Sequence, residues 1–168
     1  EGDPGRWASG YDFPAAISGK IEKDSFLSGL PSGMYGFVFN TRRDKFKNRD
    51  VRAALAQTFD FEWANRNLFH SAYKRTKSYF DGSVLSSSGN PVSDLERELL
   101  GPIAEKLDPE ILAGTWAPAP SDGSGRDRKF LRTSFDMLRE AGYSVKNGKM
   151  TGPDGTPLSI EILLNASS

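Results

Sequence analysis

Apolar positions along the chain follow two periods, and each predicts a different kind of element. A period of two runs through residues 33–41, where Tyr35, Phe37 and Phe39 alternate with Met34, Val38 and Asn40. Both faces of this stretch carry bulk, which predicts a strand covered on both sides. The same period returns in residues 158–164, where Leu158, Ile160, Ile162 and Leu164 enclose Ser159 and Glu161. A weaker alternation spans residues 20–27, and the turn-forming residues of 28–33 predict its antiparallel pairing with 33–41. Gly36 marks a bulge or a close backbone approach inside the strand. Residues 143–151 carry Asn147-Gly148 at their centre and predict a hairpin. The strand at 158–164 is expected to join the sheet that holds 33–41.

The helical period begins at the end of the basic connector. Asn48 or Asp50 can cap a helix over residues 49–59, with Val51, Ala54, Leu55, Thr58 and Phe59 on one stripe. Asp60 restarts the count for a helix over 60–69, in which helical spacing predicts that Phe59, Phe61 and Trp63 are core residues. Ser93 and Glu96 form a capping box for a helix over 93–107 that Pro102 kinks or ends. Residues 127–141 are the clearest helix, with Leu131, Phe135 and Leu138 on one face and Gly142 just past the end. Residues 1–19 read as an irregular lead-in anchored by Trp7, Tyr11 and Phe13, residues 70–90 as a long polar loop, and 109–125 as an extended crossing segment. The prediction is a mixed α/β (α+β) fold, a small and mainly antiparallel sheet packed with helices, in a single domain over residues 1–168.

Composition narrows the functional classes. Hydrophobic residues make up 37% and charged residues 26% of 168, which is enough to bury a core. Lys+Arg and Asp+Glu are equal at 22 each, without the basic excess of a typical nucleic-acid binder. The absence of cysteine excludes disulfides, thiolate metal sites and a thiol nucleophile. No apolar run reaches the length of a membrane span. There is no initiator methionine or signal peptide, and the chain stops directly after a strand pattern, so a piece of a larger protein is expected.

No catalytic constellation is present. His70 is the only histidine, neither G-x-S-x-G nor H-E-x-x-H occurs, and the carboxylates are dispersed. No metal site and no cofactor are expected. The basic run Arg42, Arg43, Lys45, Lys47, Arg49 and Arg52 is interrupted by Asp44 and Asp50. Arg42 and Arg43, with Asn40, stand out because they leave the end of the strand, where ligand groups gather in open sheets. Tyr73, Tyr79 and Phe80 are the aromatic candidates, since they lie in the long loop. The candidate ligand-binding set is therefore Arg42, Arg43, Asn40, Tyr73, Tyr79 and Phe80. The alternative is an interaction module that binds an acidic partner or nucleic acid through Arg42–Arg52.

Residues 33–80 carry a resemblance to a known family. Phe39-Asn40-Thr41, Phe46, Asn48, Arg49-Asp50-Val51-Arg52, Ala54-Leu55 and Asp60 resemble the pattern of the family 5 extracellular solute-binding proteins, the peptide and nickel receptors of ABC importers. The chain has Arg-Asp-Val-Arg where Arg-Val-Arg is commoner. Residues 10–15, 39–43, 59–63 and 78–80 are similar to the YejA-like oligopeptide-binding branch, as are 122–125, 138–143 and 161–164. The resemblance implies one lobe of a periplasmic-binding-protein type II receptor whose second lobe and signal peptide lie outside these residues. It also implies a non-catalytic, periplasmic or membrane-anchored extracytoplasmic protein. Oligopeptides or peptide-like solutes would be captured in a cleft between the lobes and delivered to an ABC permease in the membrane, with no nucleic-acid partner.

Overall fold

A computed structural model describes residues 3–26 and 29–164. It divides into two compact units, one of residues 1–35 and 65–119, the other of 36–64 and 120–168.

In the second unit, Asn48 caps α3 (Arg49–Gln57) by accepting from the Asp50 amide at 2.8 Å. α7 (Arg128–Glu140) is capped by Asp127, which accepts from the Phe130 amide at 3.0 Å. The two helices pack around Val51, Ala54 and Leu138, with Leu55, Met137, Ala141, Tyr143, Met150 and Leu158 against them. Val51 is 1% and Ala54 0% exposed. A small residue at 54 lets the helices approach closely enough for the buried Ser134 hydroxyl to donate to the Ala54 carbonyl at 2.7 Å. Ala54→Leu would force methylenes into that contact and is expected to lower stability by about 2 kcal/mol, measured by urea unfolding.

The sheet consists of β1 (Ser144–Lys146) and β2 (Lys149–Thr151), antiparallel, with Val145 opposite Met150. Asn147 and Gly148 have φ of 51° and 75°, the signature of a two-residue hairpin whose twist matches its strands. The mixed class and the small antiparallel sheet stand as expected. The extent of the sheet does not. Residues 158–164 begin as a third strand, through the Leu158 amide to the Met150 carbonyl at 2.7 Å and a bridge between Thr151 and Pro157, but carry no further ladder among the described residues. Residues 33–41 are extended without a ladder partner among the described residues, and Val38 is 93% exposed rather than covered on both faces. Residues 20–26 likewise form no strand; residue 27 lies outside the described set. Alternation reports which way side chains point, whereas a strand needs a second backbone at hydrogen-bonding distance, and that is not a local property.

α4 (Phe61–Leu68) spans the division between the units. Asp60 accepts from the Trp63 amide at 2.8 Å, the cap expected of it. Phe59 and Trp63 are 46% and 38% exposed, so the core role expected for them is not observed; Ala64 is the buried residue of α4.

The first unit contains three short helices in segments predicted to be irregular or extended: α1 (Pro4–Ser9), α2 (Pro14–Ile17) and α6 (Pro109–Leu112). Each opens on a proline at its first position, where the missing N–H costs nothing, and Asp3 and Asp108 supply side-chain caps. The prolines, two of them in the pairs Asp3-Pro4 and Asp108-Pro109, were the available signal. Lys23 donates to the Trp7 carbonyl at 2.9 Å, with its ammonium 5.1 Å from the Trp7 ring centre and 5.5 Å from that of Tyr11, so the lead-in is fastened by cation–π contacts. α5 (Asp94–Leu100) carries the capping box of Ser93 and Glu96 and gives way at Gly101-Pro102 to a 3-10 turn over Gly101–Lys106.

Candidate functional site

The candidate residues fall in separate places. Asn40, Arg42 and Arg43 share one turn of the second unit. The Asn40 side chain accepts from the Arg42 amide at 3.1 Å and its carbonyl from the Arg43 amide at 3.0 Å. Asparagine shapes this turn by bonding to the backbone two residues on. The turn follows the extended stretch whose Phe37 and Phe39 rings sit 6.3 Å from Phe59 and 5.2 Å from Phe46.

The basic run that follows is largely committed within the fold. Arg52 donates to the carbonyls of Phe46 and Lys47 at 2.7 and 2.8 Å. Lys45 donates to the Ser159 carbonyl at 2.5 Å, and Lys47 pairs with Asp44 at 2.7 Å on the surface. Arg42, Arg43 and Arg49 make no ion pair among the described residues, and all three are exposed. The electropositive feature is thus a pair of neighbouring guanidiniums rather than a stripe, suited to a carboxylate or another planar anion.

Tyr73, Tyr79 and Phe80 lie in the first unit. The Asn65 amide clasps the Tyr73 backbone in both directions, accepting from its N–H at 3.0 Å and donating to its carbonyl at 2.7 Å. The Phe69 ring meets Tyr73 edge-on at 5.2 Å. His70 and Ser71 have φ of 52° and 58° and make the tight turn between them. His70 is therefore an exposed residue of a helix end. Tyr79 and Phe80 are exposed where the chain enters a serine-rich loop.

That loop is organised by Asp81, which sequence reading did not single out. One of its carboxylate oxygens accepts from the Lys77 amide at 2.7 Å and the other from the Ser86 hydroxyl at 3.0 Å. The Lys77 amide, foremost, and the Ser86 hydroxyl hold the carboxyl below its ordinary value. Its ionised form is favoured in the folded loop, so its contribution is present above the ordinary carboxylate range and lost as pH falls through the lowered value. The protection of the amides of residues 78–90 against hydrogen exchange, relative to their intrinsic rates at each pH, is expected to fall on acidification below that range, and Asp81→Ala should show the lower protection already at neutral pH. The signal for this site was the serine run 86–88 following Asp81-Gly82.

In the second unit a small cavity of about 30 Å³ is lined by residues that include Gln57, Asp60, Ser121, Phe130 and Leu131. It is of a size for a single water, not a solute. Among the described residues no group of three metal-ligating side chains converges, and no helix is long and apolar enough to cross a membrane.

Residues 8–168 match the family described as bacterial extracellular solute-binding proteins, family 5 Middle. A Brucella melitensis protein named as a binding protein is 49% identical over 163 residues, covering 97% of this chain and 26% of that one. The peptidoglycan-binding protein YepA of Agrobacterium fabrum is 47% identical over 161 residues, covering 96% and 26%. A probable peptide-binding protein of the same organism, YejA, is 35% identical over 170 residues, covering 99% and 28%. The chain spans about a quarter of the length of the curated relatives it matches.

Proposed function

The chain belongs to the bacterial extracellular solute-binding proteins of family 5, and on that premise we propose that it forms part of one lobe of a non-catalytic receptor that captures peptide-type solutes for an ABC importer. The receptor works outside the cytoplasm, in the periplasm or anchored at the membrane, and hands its ligand to the permease. A second lobe, supplied by polypeptide outside these residues, closes over the ligand by a hinge. The relatives' fourfold greater length is consistent with that arrangement.

The observation that supports the reading most directly is the Asn40–Arg43 turn, where two exposed guanidiniums remain uncommitted. A peptide offers a terminal carboxylate that such a pair can grip with two parallel hydrogen bonds. Asn40 positions the turn; Tyr73, Tyr79 and Phe80, in the other unit, are proposed separately as apolar surface for ligand side chains. In the full-length receptor, Arg42→Ala with Arg43→Ala is expected to weaken trialanine about tenfold by calorimetry, and trialanine amide much less. Equal affinity of wild type and variant for the free-acid peptide removes the arginine pair from the site.

Peptidoglycan-derived peptides are the favoured branch of this ligand class. The peptidoglycan-binding protein YepA is 47% identical to the chain, against 35% for the probable peptide-binding protein YejA. The reading as a nucleic-acid or acidic-partner module is less well supported, because Arg52, Lys45 and Lys47 are spent on the fold. Its salt signature, a steep loss of oligonucleotide binding between low and moderate salt, separates the two.

A further inference from the structure

The serine-rich loop of the first unit encloses a depression of about 490 Å³, open to solvent, which none of the roles above uses. Its lining includes Asp81, Ser83, Val84, Ser86, Ser88 and Asn90. The volume lies within the range of small-molecule sites. What it can bind follows from which polar atoms the loop leaves unspent. The Ser83 hydroxyl donates to the Phe80 carbonyl at 2.9 Å and accepts from the Leu85 amide at 3.2 Å, so it is used. The Ser86 hydroxyl is committed to Asp81 and to the Ser88 amide. The Asn90 NH2 donates to the Ser86 carbonyl at 2.7 Å. The Ser88 hydroxyl and the Asn90 side-chain oxygen, by contrast, have no partner among the described residues. The Asp81 carboxylate accepts from the Lys77 amide, the Ser86 hydroxyl and the Ser78 amide, which leaves it part of its accepting capacity.

Among the described residues the depression therefore offers one hydroxyl, one amide oxygen and one carboxylate edge, with the exposed Val84 at its rim. Among those residues no lysine or arginine lines it, so a phosphate or carboxylate would meet Asp81 uncompensated. A neutral ligand bearing several hydroxyl and amide groups fits, because each hydroxyl can donate to the carboxylate or amide oxygen and accept from Ser88.

We infer that this depression is a saccharide subsite, which takes the amino-sugar ring of a peptidoglycan-type ligand. It rests on the peptidoglycan branch of the function proposed above. It goes beyond that branch in assigning the sugar to residues 81–90, apart from the groups proposed for the peptide. Val84 would contact the apolar face of the ring, and Asp81, Ser88 and Asn90 its polar edge.

The experiment uses the full-length receptor and three probes: muramyl dipeptide, its sugar-free counterpart L-alanyl-D-isoglutamine, and N-acetylglucosamine alone. Calorimetry is expected to find muramyl dipeptide bound about tenfold more tightly than the bare dipeptide. Val84→Trp, which fills the depression from an exposed position that nothing in the fold depends on, should erase that difference and leave the bare dipeptide unchanged. Ser88→Ala should reduce it in part. Saturation transfer to N-acetylglucosamine should be visible with the wild type and lost in Val84→Trp. Equal affinity for the two dipeptide probes overturns the inference while the peptide reading stands. So does a sugar increment that survives Val84→Trp. Should neither dipeptide probe bind, the peptidoglycan branch fails; sugar transfer abolished by Val84→Trp then still supports the subsite, and its absence overturns that as well.

Discussion

Replacing Gly114 with alanine is expected to cost about 3 kcal/mol of folding stability. Gly114 has φ of +67°, and a Cβ there would lie 2.4 Å from the Asn90 carbonyl oxygen and 2.6 Å from its carbon. These are backbone atoms, so no rotamer change relieves the clash. The left-handed conformation costs alanine about 1–2 kcal/mol. Separating the strands of chain also threatens the bond from the Gly89 amide to the Gly114 carbonyl, 2.8 Å long and worth about 1 kcal/mol. Gly89→Ala supplies the control. Its φ is +81°, yet nothing lies within 4 Å of the would-be Cβ, so it should cost only the conformational part, about 1 kcal/mol. Urea unfolding of the two variants in the full-length protein measures both. Equal losses would mean that the approach of Gly114 to Asn90 does not matter. Hydrogen exchange should place the damage of Gly114→Ala at residues 89–92, which the Gly114 and Leu112 carbonyls hold.

Asp60→Ala is expected to cost about as much, for a different reason. The Asp60 carboxylate caps α4 at the Trp63 amide, accepts from the Gly125 amide at 2.8 Å, and lies 2.5 Å from the Ser121 hydroxyl oxygen. That hydroxyl also stands 2.7 Å from a Glu62 oxygen, so its one proton is shared between two carboxylates. Losing a helix cap costs about 1 kcal/mol, and each donor left without an acceptor adds about 1 kcal/mol or more in a half-buried site. About 3 kcal/mol in total is expected by urea unfolding. Asp60→Asn keeps one acceptor oxygen and relieves repulsion from Glu62 and Asp127, so it should recover more than half of the loss. If asparagine is as damaging as alanine, the charge rather than the acceptor geometry is responsible. Because Ser121 and Gly125 belong to the loop that leads into α7, the alanine variant should also raise hydrogen exchange over residues 121–127.

Both sites show how unevenly the structure was legible in the chain. The caps at Asn48, Asp60, Ser93 and Asp127 could be read directly, because a cap bonds within three residues of itself. The hairpin at Asn147-Gly148 could be read for the same reason. The three proline-led helices carried a local signal too, in Asp3-Pro4, Phe13-Pro14 and Asp108-Pro109, although composition there suggested loop. What Asp60 does with Ser121, 61 residues away, had no local signal at all. The candidate site divides in the same way. The Asn40–Arg43 turn is a short-range structure, although the sequence reading expected a strand end there. That Arg52 and Lys45 would be withdrawn from the basic run depended on carbonyls presented by folded backbone, one of them at Ser159.

By itself, then, the sequence determined the family, the helices with local caps and the hairpin. The caps and the hairpin depend on residues close together along the chain. Only the tertiary structure decided which apolar positions are covered. Val51 and Ala54 are sealed because α7 lies against them, while Val38, of equal hydrophobicity and clean alternation, stands exposed beside no second strand among the described residues. Burial is a property of what a residue meets, and for Val51 and Ala54 that partner, α7, lies far along the chain.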